Sequence, residues 1–335
     1  MKLQQLRFFS EIVQQGLNVS LASEVLYTSQ SGISKQMQLL EQELGVALFE
    51  RNGRKLTALT EPGEVVLKLA REILQKSEDI KKAAADFTEQ KKCIAIATTH
   101  TQARYVLPII VEKFMSLYRD IMIHIHQGTP EQVAQLLLSG EVDIAIATEV
   151  LSDCESLTAL PCYQWSRSVI VRQDHPLAQK THLDLDDIVC YPIITYEQGF
   201  TGRKKQDAVF MRHHLQPNIV LTAVDADVIK TYVRLGLGIG IIADMAFSLT
   251  QDHDLVAHSV EHLFGMTQSY LALQQGRYMK PYLYPFIELF APHLTPELIR
   301  SVMQAENLEA RRHYFRAITV PRYTHDLRPN GLSAG

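Results

Sequence analysis

The spacing of apolar residues changes once along the chain, near residue 90, and that change constrains the fold more than any other feature. From Leu3 to Phe87 apolar side chains recur every three or four positions, the period of helices with one buried face. From Cys93 onward, short apolar runs such as Ile94-Ala95-Ile96-Ala97 alternate with helical stretches. With 335 residues, a break of this kind predicts about two domains.

In the first segment, Leu3, Leu6, Phe9 and Val13 predict a helix that Gly16 stops. A short second helix follows, with Leu21, Ala22, Val25 and Leu26 inward. A third helix is predicted to bury Ile33, Met37, Leu40 and Leu44. Its outer side carries Thr28, Ser29, Gln30, Ser31, Ser34, Lys35 and Gln38: hydroxyls, amides and an ammonium that can meet phosphates and base edges. Asn52-Gly53 then signals a tight hairpin, with Leu48, Phe49 and Leu56 beside it and Arg51, Arg54 and Lys55 at its tip. Helices in this order with a cationic β-wing predict a winged helix-turn-helix over residues 1–60 that binds double-stranded DNA. A small amphipathic domain with a solvated polar face is the plainer alternative.

Pro62 suits the first turn of a helix over 61–90. Val66, Leu69, Ile73, Ile80, Ala84 and Phe87 form a near-heptad stripe along it, broken by Lys76 and Ser77. Such a stripe is expected to pair with a second copy of the chain or to lie on its own domain. The dimer is the preferred reading, because heads of this kind read two half-sites.

Beyond residue 90, strands are predicted at 94–97, 122–126, 143–147, 168–171, 192–195, 219–222 and 241–243, with helices at 105–118, 130–139 and 227–235. The alternation predicts an α/β effector domain over 91–296, with largely parallel sheets and two lobes around a cleft. Lobe I is placed at about 91–163 and 266–296, and lobe II at about 164–265. The remaining 297–335 holds Arg311, Arg312, Arg316, Arg322 and Arg328 with Pro321, Pro329 and Gly331, and is expected to be partly disordered.

Charge and cysteine content narrow the function. Net charge is −4, but residues 1–92 carry 13 basic and 12 acidic side chains, net +1, leaving net −5 for the rest. The four cysteines, Cys93, Cys154, Cys162 and Cys190, form no zinc or disulfide pattern. The first residues lack an apolar signal core, and no run reaches the ~18 apolar residues of a membrane span. A cytoplasmic protein without membrane contact is expected. His124 and His126 share a strand face, yet no third metal ligand is evident. Gly236-Leu237-Gly238-Ile239-Gly240 follows a helix and precedes a strand, the reverse of a phosphate-cradling loop. No G-x-S-x-G element occurs. Neither catalytic residues, a metal nor a prosthetic cofactor is expected, and an exported transport binding protein would leave residues 1–60 unexplained.

The turn Thr98-Thr99-His100-Thr101-Gln102 lies between a strand and a helix, where backbone N–H groups and the helix dipole favour an anion. Thr99, Thr101 and Gln102 add side-chain donors, although threonine there equally suits an ordinary N-cap. Arg203 can clamp a carboxylate or pair on the surface. Trp165, the single tryptophan, falls near the expected crossing between lobes and suits the core or a ligand contact.

The head, linker helix and two-lobed domain together resemble the LysR family of bacterial transcriptional regulators. Within it the chain is similar to the activators of cysteine-regulon genes. The similarity is carried by Leu26-Tyr27-Thr28-Ser29-Gln30, by the stretch from Ile96 to Tyr105, by Gly199-Phe200-Thr201-Gly202-Arg203 and by the stretch from Asp225 to Gly236. It covers about residues 1–296; no counterpart is recognised for the tail. The resemblance implies a periplasmic-binding-protein-like effector domain with Thr99, Gln102, Thr148 and Thr201 at ligand-contact positions. It further implies a homodimer assembling to a homotetramer, contact with RNA polymerase, N-acetylserine or O-acetylserine as inducer, and sulfate or thiosulfate as opposing anion. A family member that answers to another metabolite is the alternative.

Overall fold

A computed structural model describes residues 1–53, 55–88, 92–200, 202–305, 307–316 and 318–323, in two compact units that divide between residues 89 and 90. Arg54, Thr201, the Phe87 side chain and the tail positions Arg328, Pro329 and Gly331 lie outside the described residues.

The first unit holds α1 (Leu3–Gln14), α2 (Val19–Val25), α3 (Gln30–Leu44), the hairpin β1 (Phe49–Asn52) and β2 (Lys55–Leu59), and α4 (Glu61–Thr88). Short polar side chains set the helix starts. Asn18 Oδ1 accepts from the N–H groups of Ser20 and Leu21, and Ser29 Oγ accepts from Gly32 N–H at 3.1 Å. The core joins Leu6, Phe8, Phe9 and Ile12 of α1 to Ile33, Met37 and Leu40 of α3, to Leu48, Phe49 and Leu56 of the wing, and to Leu67 and Ala70 of α4. Phe9 meets Phe49 edge-on at 5.3 Å between centroids, which ties the wing to α1. Leu3, Leu21 and Val25, expected inward, are exposed. A helix as short as α2 buries a single row, and Ala22 fills it. On α4, Val66 packs with the head core, whereas Leu69, Ile73, Ile80 and Ala84 stay exposed and Val65 joins them.

The second unit runs β3 (Lys92–Thr98), α5 (Leu107–Leu117), β4 (Ile121–Gln127), α6 (Pro130–Ser139), β5 (Ile144–Ala147), β6 (Leu157–Trp165), β7 (Arg167–Arg172), α7 (Leu185–Val189), β8 (Ile193–Tyr196), α8 (Arg203–Arg212), β9 (Ile219–Ala223), α9 (Ala226–Arg234), β10 (Ile239–Ala243), β11 (Leu255–Ser259), α10 (Glu261–Phe264), β12 (Thr267–Gln274), α11 (Leu283–Phe290), α12 (Pro296–Gln304) and α13 (Leu308–Phe315). Its strands form two sheets, in the orders β4-β3-β5-β12-β6 and β11-β7-β10-β8-β9. The chain leaves lobe I at Trp165 and returns at Thr267. The sheets are mixed rather than largely parallel. β5, β12 and β6 pair antiparallel in one, and β10, β7 and β11 in the other. The expected pattern omitted β6, β11 and β12. β12 carries Thr267 and Ser269 fully buried, so burial there is not written as hydrophobicity.

The tail corrects a second expectation. Thr295 caps α12, which buries Ile299 and Val302 in the lobe I core, and α13 follows. Arg311 is buried and donates to the carbonyls of Leu157 at 2.6 Å and Glu155 at 2.9 Å. Tyr323 N–H donates to Gln164 O at 2.7 Å, and its ring enters the core. Residues 297–305 and 307–316 are therefore structured. Arginines that read as solvated charge include one whose buried guanidinium bonds the carbonyls of Glu155 and Leu157 at the start of β6.

Gly63 marks the closest approach in the first unit. A methyl group there would stand 2.1 Å from the Leu48 carbonyl oxygen. Gly63→Ala is expected to destabilise this unit by about 1–3 kcal/mol. Hydrogen exchange of α1 amides in the full chain should accelerate while protection in β12 is unchanged; unaltered α1 protection would show that α4 can shift to make room.

Candidate DNA-binding face and effector cleft

On α3, Ser31, Ser34, Lys35 and Gln38 occupy positions i, i+3, i+4 and i+7 and are all exposed, as are Ser29 and Gln30 at its start. Thr28 is half-buried, and the Ser29 hydroxyl is committed to the cap. Arg51 Nη2 donates to Glu41 Oε2 at 2.9 Å, while Glu41 Oε1 accepts from Leu48 N–H at 2.9 Å. Arg51 therefore locks the wing to α3, and Lys55 remains exposed near the turn. Tyr27 was not among the expected residues. It is 97% exposed at a backbone φ of +48°, beside the start of α3. A tyrosine held in the left-handed region with its ring in solvent is a further phosphate or base contact candidate. The helix-turn signal that located α3 passes over it because Tyr27 belongs to the turn.

In the effector unit, β3 and β5 are neighbouring parallel strands, in register at Thr98 and Ile146. Thr99 and Thr148 are the residues that follow Thr98 and Ala147 where these strands end, which is where open α/β sheets bind ligands. Neither hydroxyl caps a backbone N–H among the described residues, so the N-cap alternative for Thr99 is not what forms. After Thr99 the chain enters a helix whose first turns include a π-helical segment, Gln102–Val106. Such turns re-aim side chains and recur at functional sites.

The other candidates are engaged within the fold. Gln102 Nε2 donates to Ser269 Oγ at 3.1 Å, and its Oε1 accepts from the Tyr163 hydroxyl. Trp165 is 1% exposed, and its N–H donates to the same Ser269 oxygen at 3.1 Å. Trp165 is thus core, one hydrogen-bond step from Gln102, rather than a ligand contact. Thr101 is hydrogen-bonded to Tyr196 of lobe II. Arg203 is buried, with Nε on Asp207 at 2.7 Å and Nη1 on the Tyr196 carbonyl at 2.7 Å. It holds the β8–α8 turn and is neither a surface pair nor an open clamp. His124 and His126 are exposed on β4, and no third ligand joins them among the described residues.

The lobes touch across the cleft through polar groups. Arg104 Nε and the Tyr105 hydroxyl of lobe I donate to the two oxygens of Asp227 on α9, at 3.0 and 2.7 Å. Lys230 joins Asp227 at 3.0 Å and the buried Asp252 at 3.1 Å. Lys205 of lobe II reaches Glu149 of lobe I at 2.9 Å. Burial raises the Asp227 pKa, but bonds from Tyr105, Lys230 and Arg104 outweigh it and hold the carboxyl down at about 2. Folding lowers this pKa, so its contribution to stability is complete above the unfolded value of about 4 and is lost as pH falls towards 2. The stability gap between the wild type and Asp227→Asn is expected to be full above about pH 5 and to close between 4 and 2. Urea denaturation followed by Trp165 emission measures it, and a pH-independent gap would show that Asp227 is not held as an ion.

Comparison with known proteins places both units. Residues 3–64 match the model of the bacterial regulatory helix-turn-helix protein, lysR family, and residues 89–295 match the LysR substrate binding domain. The chain is 45% identical over 321 residues to the HTH-type transcriptional regulator CysB of Haemophilus influenzae, covering 96% of this chain and 99% of the relative. It is 41% identical over 311 residues to the regulator cbl of Escherichia coli K12, covering 92% and 98%. The crystal structure of the cofactor-binding domain of the Cbl transcriptional regulator superposes with a TM-score of 0.61 at 42% identity, over 65% of this chain and 96% of that one. The relatives are named regulators rather than enzymes, and the match to CysB extends well into the tail for which no counterpart was expected. The chain belongs to the LysR family of DNA-binding bacterial transcriptional regulators.

Proposed function

We propose that this protein regulates genes of sulfur assimilation and cysteine biosynthesis in the cytoplasm. In this reading N-acetylserine or O-acetylserine is the inducer, and sulfate or thiosulfate is the opposing anion. The observation that carries it is the pair of uncommitted hydroxyls, Thr99 and Thr148, at the ends of adjacent parallel strands. Two hydroxyls and the first-turn N–H groups suit a small oxyanion or carboxylate. Similarity to CysB and cbl across nearly the whole chain supports the sulfur theme. Val65, Leu69, Ile73 and Ile80 form an exposed apolar stripe on α4, with Ile80 71% exposed, which supports a homodimer assembling to a tetramer on promoter DNA, in contact with RNA polymerase.

Gln30→Ala with Lys35→Ala is expected to weaken promoter binding in a mobility-shift assay. Losing the Lys35 charge should lower the salt-dependence slope by about 1. Unchanged affinity and slope would remove this face of α3 from the interface. Trp165 emission in the full chain should change saturably with N-acetylserine, O-acetylserine, sulfate or thiosulfate. Thr99→Ala with Thr148→Ala is expected to weaken that binding by about tenfold or more, the worth of a hydrogen bond to a charged group. A flat response to all four, without thermal stabilisation, would assign the cleft to another metabolite.

A further inference from the structure

Arg167, the first residue of β7, is 2% exposed. Its Nη1 donates to Thr267 Oγ1 at 3.3 Å and its Nη2 to the Gly202 carbonyl at 2.9 Å. The guanidinium carbon lies 5.3 Å from the centre of the Trp165 ring. Among the described residues no carboxylate forms an ion pair with it. Glu149 is paired with Lys205, and Asp244 accepts from the N–H and hydroxyl of Ser166; both act on Arg167 only through space. Lys230 has Asp227 and Asp252, and Arg203 has Asp207. Arg311 shares the lack of a carboxylate, but three backbone carbonyls receive its guanidinium, against one carbonyl and one hydroxyl for Arg167. Burial pulls the Arg167 pKa down to about 10, so it remains charged at neutral pH.

A buried guanidinium without a carboxylate is costly unless a counter-charge arrives from outside the chain. The groups around Arg167 come from both lobes. Thr267 lies on the returning crossing, Gly202 ends the loop after β8, and Glu149 is the neighbour of Thr148. Gly202 has φ +68°, and a methyl group on it would fall 1.8 Å from Arg167 Nη2. Glycine at this position leaves the space that the guanidinium occupies.

We infer that Arg167 is the counter-charge of the effector and restricts the cleft to small ligands of net negative charge. This rests on the effector reading above and deepens it, selecting N-acetylserine over the zwitterionic O-acetylserine. The hydroxyls of Thr99 and Thr148 recognise oxygen atoms, and Arg167 supplies the charge that neutral donors lack. An anionic ligand completes the ion pair; a neutral or zwitterionic one of the same shape leaves the guanidinium uncompensated.

The test is calorimetric titration of the full chain with three probes: sulfate, N-acetylserine and its uncharged amide, N-acetylserinamide. Wild-type protein is expected to bind N-acetylserine at least about tenfold more tightly than the amide. Arg167→Gln should weaken sulfate and N-acetylserine about 10- to 100-fold and largely remove that preference, with Arg167→Lys intermediate because it keeps the charge but not the planar fork. Equal wild-type affinity for the charged and neutral forms, or unaltered anion affinity in the variants, overturns the role of Arg167 and leaves the inducer reading intact. Failure of the wild type to bind any of the three overturns both. If Arg167→Gln does not fold, Arg167→Lys and the wild-type preference decide the matter.

Discussion

The return of the chain into its first sheet as β12 is the constraint on which the effector unit depends. β12 pairs antiparallel with both β5 and β6 and so closes lobe I around a strand that arrives after all of lobe II. That pairing places Ser269 where it accepts from Gln102 and Trp165 together, and Thr267 where it accepts from Arg167. The buried polar atoms of β12 are satisfied by residues of three other segments, which makes its register specific. A slip by one residue would turn Ser269 out of the network and an unpaired amide and indole N–H would remain inside.

One short segment, Thr99 to Tyr105, carries both a hydroxyl of the proposed effector site and the contact between lobes. It begins at the end of β3, turns through the π-helical segment and presents Arg104 and Tyr105 to Asp227. A ligand held at Thr99, as proposed, would act on the same element that grips lobe II. Coupling of this kind needs no long pathway: the two functions are a few residues apart on one helix start.

Some of this was legible in the sequence. Asn52-Gly53 located the wing turn, and the residues that cap α2 and α3 are short polar side chains of the expected kind. Thr99 was marked by its place after a strand, and Thr148 by the family resemblance. What stayed hidden was decided by partners distant in sequence. Arg203 and Trp165 carry groups able to bind an anion, and the fold commits them to Asp207, Tyr196 and Ser269 instead. Arg167 reads as an ordinary strand-end charge until Thr267 and Gly202 enclose it. Arg311 reads as part of a solvated basic tail until the carbonyls of Glu155 and Leu157 receive it.

Sequence by itself determined the period of each segment, the polar outer face of α3 and the division near residue 90, because these follow from neighbours within a few positions. Tertiary structure alone decided which donors remain available to a ligand. A hydrogen-bonding group is used up by whichever partner the fold brings near, and the deciding partners are far apart in the chain: Gln102 with Ser269, Arg104 with Asp227, Arg167 with Thr267. The cleft chemistry is what remains after those long-range bonds are made.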